Sequence, residues 1–155
     1  MSKQVTDYIT DCLRALNRLK DGEGALGDRI REIHGYWEAL WGGAVPPGER
    51  VFAAFISNEA ETQEPTDLWY FSEQRCLVAR KFASQQMDLL IFPFRAGIRR
   101  MRIARNYDKK PQVGSKIVVA LWFEDESKGV IEASDANCTP LETLLTEVLI
   151  PKLQS

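Results

Sequence analysis

Arginine is the residue type whose number and spacing in this chain could carry chemistry. Arg95, Arg99, Arg100, Arg102 and Arg105 fall within eleven residues, and Lys109 and Lys110 follow closely. Guanidinium groups at this density can hold phosphate oxygens through paired hydrogen bonds. Beside an aromatic such as Tyr107, they could also hold RNA or single-stranded DNA. The plainer reading of the same residues is a solvated strand face, with arginines paired to acidic loops or to an acidic neighbour. The formal net charge of −2 conceals the asymmetry behind both readings. Residues 75–116 carry eleven lysines and arginines against Asp88 and Asp108, a net of +9, which leaves −11 for the rest of the chain.

Other reactive residue types are sparse. His34 is the only histidine and sits within a helical pattern, with no cysteine or second histidine near it in sequence. A histidine on a helix face accounts for it without catalysis or metal binding. Cys12, Cys76 and Cys138 are odd in number and widely spaced, so they read as reduced and mostly buried thiols, with neither a disulfide framework nor a metal knuckle. Asp7 and Asp11 lie one helical turn apart, and Glu124 and Glu126 are two residues apart on an expected strand face. Such pairs are ordinarily solvated. Phosphate-cradling glycine loops and a nucleophile elbow are not found in the sequence. No catalytic residue, metal or cofactor is therefore expected, and the chain reads as a binding protein with no turnover.

Periodicity defines the elements that must position the arginines. Val5, Tyr8, Ile9, Cys12, Leu16 and Leu19 form an apolar stripe that predicts a helix over about Lys3–Lys20. Glycines in Asp21–Gly24 end it. Leu26, Ile30, Ile33, Trp37 and Leu40 restart the period to about Trp41, giving an N-terminal helical hairpin over residues 1–42. Gly42–Gly48, with two prolines and three glycines, breaks regular structure and marks the boundary to a second part, residues 46–155.

Strand patterns dominate that second part. They cover Val51–Ile56, Leu68–Phe71, Cys76–Phe82, Leu89–Phe94, Ile98–Ala104, Ile117–Phe123 and Gly129–Ala133. Ser57–Thr66 and Asn106–Ser115 read as loops, and Glu124–Lys128 as a charged hairpin turn. Pro93 places its strand at a sheet edge or at an exit from the sheet. A helix is predicted from Pro140 to about Leu153. Thr139 is its expected cap, with Glu142 reaching back to the cap amide, and Pro151 loosens its last turn. The strands carry a surplus of apolar residues. Ile117, Val119, Leu121 and Phe123 point one way, while Val118, Ala120 and Trp122 point the other. The outer faces therefore need a cover, either the N-terminal hairpin with Trp37 or a second subunit.

Several short motifs resemble the bacterial pleckstrin-homology-like (PH-like) domain family. Pro46-Pro47-Gly48-Glu49-Arg50-Val51 is similar to the turn that delivers that family into its first strand. Leu68–Phe71 with Glu73-Gln74-Arg75-Cys76-Leu77 resembles its second and third strands. Leu90–Phe94 through Ile98–Ile103 resembles its next element, with Phe94 where tyrosine is common. The resemblance covers about residues 46–153, and the N-terminal helical pair is additional to it. It implies an α+β fold: a partly open antiparallel barrel of about seven strands, capped by a C-terminal helix. It also implies frequent self-association and a non-catalytic role. Eukaryotic PH domains hold phosphoinositides with basic residues in the loop after the first strand. Here that loop carries Glu59, Glu61 and Glu64 and no base, which argues against that mode.

The expectation from sequence is a cytoplasmic interaction module that works by protein–protein contact or self-association. The alternative is a nucleic-acid or anionic-ligand binder using Arg95, Arg99, Arg100, Arg102, Arg105, Lys109 and Lys110. The longest apolar run, Ile117–Phe123, is far too short to cross a bilayer, so no transmembrane segment is expected.

Overall fold

Alternation of large apolar and polar residues produces seven strands, and the positions of the turns set their pairing. A computed structural model describes residues 25–40, 42, 51–58, 65–82, 84, 86–106, 116–134 and 138–153. The expected first helix, Cys12, Trp41, the Asp7–Asp11 pair, Tyr107, Lys109, Lys110 and most of the Gly42–Gly48 break lie outside them.

The described elements are helix α1 (Ala25–Ala39), strands β1 (Ala53–Asn58), β2 (Pro65–Phe71), β3 (Arg75–Arg80), β4 (Asp88–Pro93), β5 (Arg100–Asn106), β6 (Lys116–Trp122) and β7 (Lys128–Ser134), and a C-terminal helix α2 that begins at Cys138. Every strand pairing is antiparallel. The strands form two meanders, β1-β2-β3-β4 and β5-β6-β7. No ladder joins the two sheets among the described residues, so the strands do not close into a continuous barrel. β1 and β7 nevertheless run close together on one flank.

The expected strands all occur, with shifted ends. β1 and β5 begin two residues later than their patterns, at Ala53 and Arg100, and β2 begins earlier, at Pro65. Phe52 still donates its amide to Phe71 O, so the apolar pattern extends beyond the ladder proper. β2 and β3 meet in a tight turn at Ser72, whose hydroxyl accepts from the Arg75 amide at 3.1 Å and donates to Arg75 O at 3.0 Å. Pro93 is both the last residue of β4 and on an edge strand, where its missing donor breaks no inner ladder.

Two apolar layers flank the four-stranded sheet. The inner one contains Phe55, Trp69, Phe71, Val78 and Phe92 from that sheet, with Ile117, Val119, Leu121, Phe123 and Ile131 from the other. Leu141, Leu144, Leu145, Val148 and Leu149 of the C-terminal segment pack into the same layer. The outer one places Ile30, Ile33 and Trp37 of α1 against Ala54, Leu68, Tyr70, Leu77 and Phe82. The helix therefore covers the outer face of the first sheet only. The outer face of β6 is covered differently from expectation: Trp122 lies beneath Arg100 and beside Lys128, and helix α1 plays no part there.

The C-terminal helix also departs from its pattern. It is α-helical over Cys138–Leu144, widens to a π-turn over Leu145–Leu149 and tightens to a 3₁₀ turn over Ile150–Lys152. Pro151 has no amide to donate, which accounts for the change of winding at the end. Its start precedes the expected Thr139 cap, and the Glu142 carboxylate is held by Arg105 instead of turning back on the first turn. Glu124 and Glu126 occupy the β6–β7 turn, as the hairpin pattern of Glu124–Lys128 predicts, so they do not share a strand face, and Glu126 takes a left-handed backbone with φ of 70°.

Gly129 is required by a close approach. A Cβ there would lie 2.7 Å from Cη2 of the buried Trp69. Gly129→Ala is expected to cost about 1–3 kcal/mol through overpacking, read as a lower urea midpoint with an unchanged m-value.

Candidate functional site: an arginine edge and an intersheet cleft

Strand β5 pairs with β6 alone among the described residues, so it forms one edge of its sheet. Alternation puts Arg100 and Arg102 on one face, opposite Trp122 and Ala120, and Met101 and Ile103 on the other, opposite Leu121 and Val119. Met101 packs against the inner core, but Ile103 is 47% exposed. The remainder of the strand to Asn106 is exposed on both faces. This is an open edge with an apolar residue at its centre and cations beside it.

The structure divides the seven expected site residues. The guanidinium of Arg99 pairs with Glu126, and that of Arg105 with Glu142, partners 27 and 37 residues away in sequence. The Arg99 pair is largely exposed, so it contributes little stability, but it occupies that guanidinium. Arg100 places its guanidinium carbon 4.1 Å from the centroid of the Trp122 ring. Lys128, directly across β6 from it in register, holds its ammonium 5.2 Å from the same ring. The outcome is a cation–aromatic–cation row across three strands, with each charge over or beside a π-face. Arg95 and Arg102 are exposed and meet no carboxylate among the described residues. Lys109 and Lys110 lie outside the described residues. The five described arginines therefore do not converge on one phosphate-sized point.

A second feature had no sequence signal. Between the sheets lies a cleft of about 600 Å³. One wall is the inner face of β2–β4, with Trp69, Val78, Leu90 and Phe92 at its base and Asp67, Arg80 and Lys81 above. The other wall is β7, with Lys128, Gly129, Val130 and Glu132, joined by Lys116 at the start of β6. Lys116 and Glu132 form an ion pair at 2.9 Å. Asp67 accepts the Lys81 amide at 3.0 Å, and Lys81 is held in the left-handed region with φ of 54°. Burial raises the Asp67 carboxyl above its ordinary pKa, opposed by the Lys81 amide and the Arg80 charge. The Trp69 indole N–H is buried with no hydrogen-bond partner among the described residues. Leu90 and Val130 are 39% and 42% exposed.

Residues that could react stand elsewhere. His34 Nε2 lies 2.8 Å from the Tyr70 hydroxyl at the interface of α1 and the sheet. Cys76 and Cys138 are buried thiols, and burial pushes the Cys76 pKa well up. Among the described residues, no cluster of histidine, cysteine, aspartate and glutamate could hold a metal ion. No helix among them is long and apolar enough to cross a membrane.

Burial also raises the Tyr70 pKa. The folded state thus holds that proton more tightly than the unfolded chain does. Its contribution to stability is complete below about pH 10 and is lost as pH rises beyond that value. Urea midpoints are expected to fall more steeply in this alkaline range for the native chain than for Tyr70→Phe, which has no phenol to ionise. Equal slopes for the two would mean that the buried hydroxyl does not contribute to the pH dependence.

With the geometry in place, the chain was compared with known proteins: no family model matches it, and neither a curated protein nor a solved structure does.

Proposed function

We propose that this chain is a non-catalytic, PH-like interaction module that binds an acidic, extended segment of a partner protein along the β5 edge. The observation that carries this reading is the open edge itself: among the described residues β5 has one ladder partner, and Ile103 is exposed beside Arg102. An unpaired edge offers main-chain donors and acceptors to an added strand, and alternate side chains supply selectivity. The PH-like part of the reading is supported by the order of elements, four antiparallel strands, then three, then a helix packed on the inner core. The two sheets would form the partly open barrel of that family.

Charge favours an acidic partner over a second β5. Antiparallel self-pairing would bring the arginine-rich strand beside its own copy, and like charges across a ladder are destabilising. Glutamates on an incoming strand would instead meet Arg102, on the same face as Arg100. The buried thiols Cys76 and Cys138 suit a reducing compartment, which agrees with work in the cytoplasm.

The test uses a blocked, fluorescent peptide of alternating threonine and glutamate, with an oligothymidylate of equal length as comparison. Anisotropy is expected to rise with the peptide, and Arg102→Glu and Ile103→Asp are each expected to weaken that binding about tenfold. Both residues are exposed, so neither change should alter the fold. Tighter binding of the oligothymidylate, falling linearly with salt on logarithmic axes, would replace this reading with nucleic-acid binding. Peptide binding indifferent to both substitutions would remove β5 as the surface.

A further inference from the structure

We propose that the cleft between the sheets is a binding site for a small amphipathic organic anion, such as a carboxylate or phosphate monoester on an apolar body. This site lies apart from the β5 edge and does not depend on what binds there.

Three observations point to it. The first is size and composition. A volume of about 600 Å³ falls within the range of small-molecule sites, and the base is apolar while the rim is charged. Leu90 and Val130 line it from different sheets, and both are substantially exposed. An apolar ligand body in the cleft would take part of that surface out of water.

The second is the balance of charge. Four cations, Arg80, Lys81, Lys116 and Lys128, share the lining with Asp67 and Glu132. Glu132 is already held by Lys116, and Asp67 takes the Lys81 amide. The Lys128 ammonium stands beside Trp122 and the Asp67 carboxylate offsets one charge, so Arg80 and Lys81 leave the mouth with a net positive charge. That distribution admits an anion and disfavours a cation. Arg80 supplies a planar fork suited to two oxygens of one carboxylate or phosphate.

The third is local tension in the lining. Lys81 keeps a left-handed backbone that non-glycine residues rarely adopt, which costs energy and recurs at functional sites. That turn places the lysine at the rim next to Arg80.

The probe is 8-anilinonaphthalene-1-sulfonate, an aromatic anion, titrated into the full chain at neutral pH and followed by its fluorescence. N-phenyl-1-naphthylamine, uncharged and of similar shape, is the comparison. Saturable binding of the anion at a single site is expected, displaced by octanoate and by hexyl phosphate. Arg80→Ala and Leu90→Asp are each expected to weaken it about tenfold or more, the first by removing the fork and the second by placing a carboxylate on the base. Leu90 is partly exposed, so its replacement remains informative even where Arg80→Ala lowers stability. Arg95→Ala, on the surface outside the cleft, is expected to leave binding unchanged. Equal affinity for the neutral probe, binding untouched by both cleft substitutions, or no saturation would each overturn the proposal. Binding to anionic lipid vesicles without competition from octanoate would do so as well, since it assigns the cations to a membrane surface.

Discussion

Replacing Trp37 with alanine is expected to cost the folded chain about 3–5 kcal/mol. The indole is buried on α1 and stands edge-on to Tyr70, with ring centroids 6.2 Å apart and planes at 86°. That geometry suits the positive edge of one ring against the negative face of the other, a small gain added to the area that both bury. The tryptophan covers a sheet face made of Ala54, Leu68, Tyr70 and Leu77, all buried beneath the helix. Its loss opens a cavity that the helix, anchored by Ile30 and Ile33, can close only in part. Since small domains are stable by only about 5–15 kcal/mol, the change should remove a large fraction of the total. Urea denaturation followed by circular dichroism measures it. A midpoint equal to that of the native chain would mean that α1 is not part of the cooperative unit, and the outer face of the first sheet would then need another cover.

The second large effect is expected at the junction of the two sheets. Phe123 is fully buried and stacks on Phe92, with centroids 4.7 Å apart and planes at 16°. Phe92 stacks in turn on Trp69, and Trp69 on Phe71, so four rings run from Phe123, just past the end of β6, across the inner face of the first sheet. Phe123→Ala is expected to cost about 3–5 kcal/mol. Phe123 ends this row, and its loss removes the stack's link to the second sheet. Gly129, whose position would bring a Cβ 3.4 Å from this ring, also loses its neighbour. The double variant Phe123→Ala with Gly129→Ala is therefore expected to fall short of the sum of its parts, since the cavity left by the first change relieves crowding from the second. Strict additivity would show that Trp69, and not Phe123, confines the glycine.

Several features could be read directly from residue order. The alternation of Ile117, Val119, Leu121 and Phe123 against Val118, Ala120 and Trp122 placed the first set in the core and the second set outside, as found. The leucines from Leu141 onward identified the stripe that packs on the sheets, and Pro93 marked an edge. These features are local: a strand repeats every two residues and a helix every three or four, so neighbours in sequence report which face is apolar. Strand ends were less legible, because a ladder stops where its partner stops and not where the apolar pattern does.

What the tertiary structure alone decided is which charges are already engaged. The arginines looked like one site because they are adjacent in sequence. In space Arg99 turns to Glu126, Arg105 to Glu142 and Arg100 to Trp122, each partner lying on a later element. The cleft had no signature at all, since its walls come from β2–β4 and β7 and its width depends on how the two sheets cross. Residue order determined the strands, their faces and the terminal helix, because backbone geometry and burial act over a few residues. The free edge, the engaged arginines and the cleft depend on side chains brought together by folding, and no period within one segment records those distances.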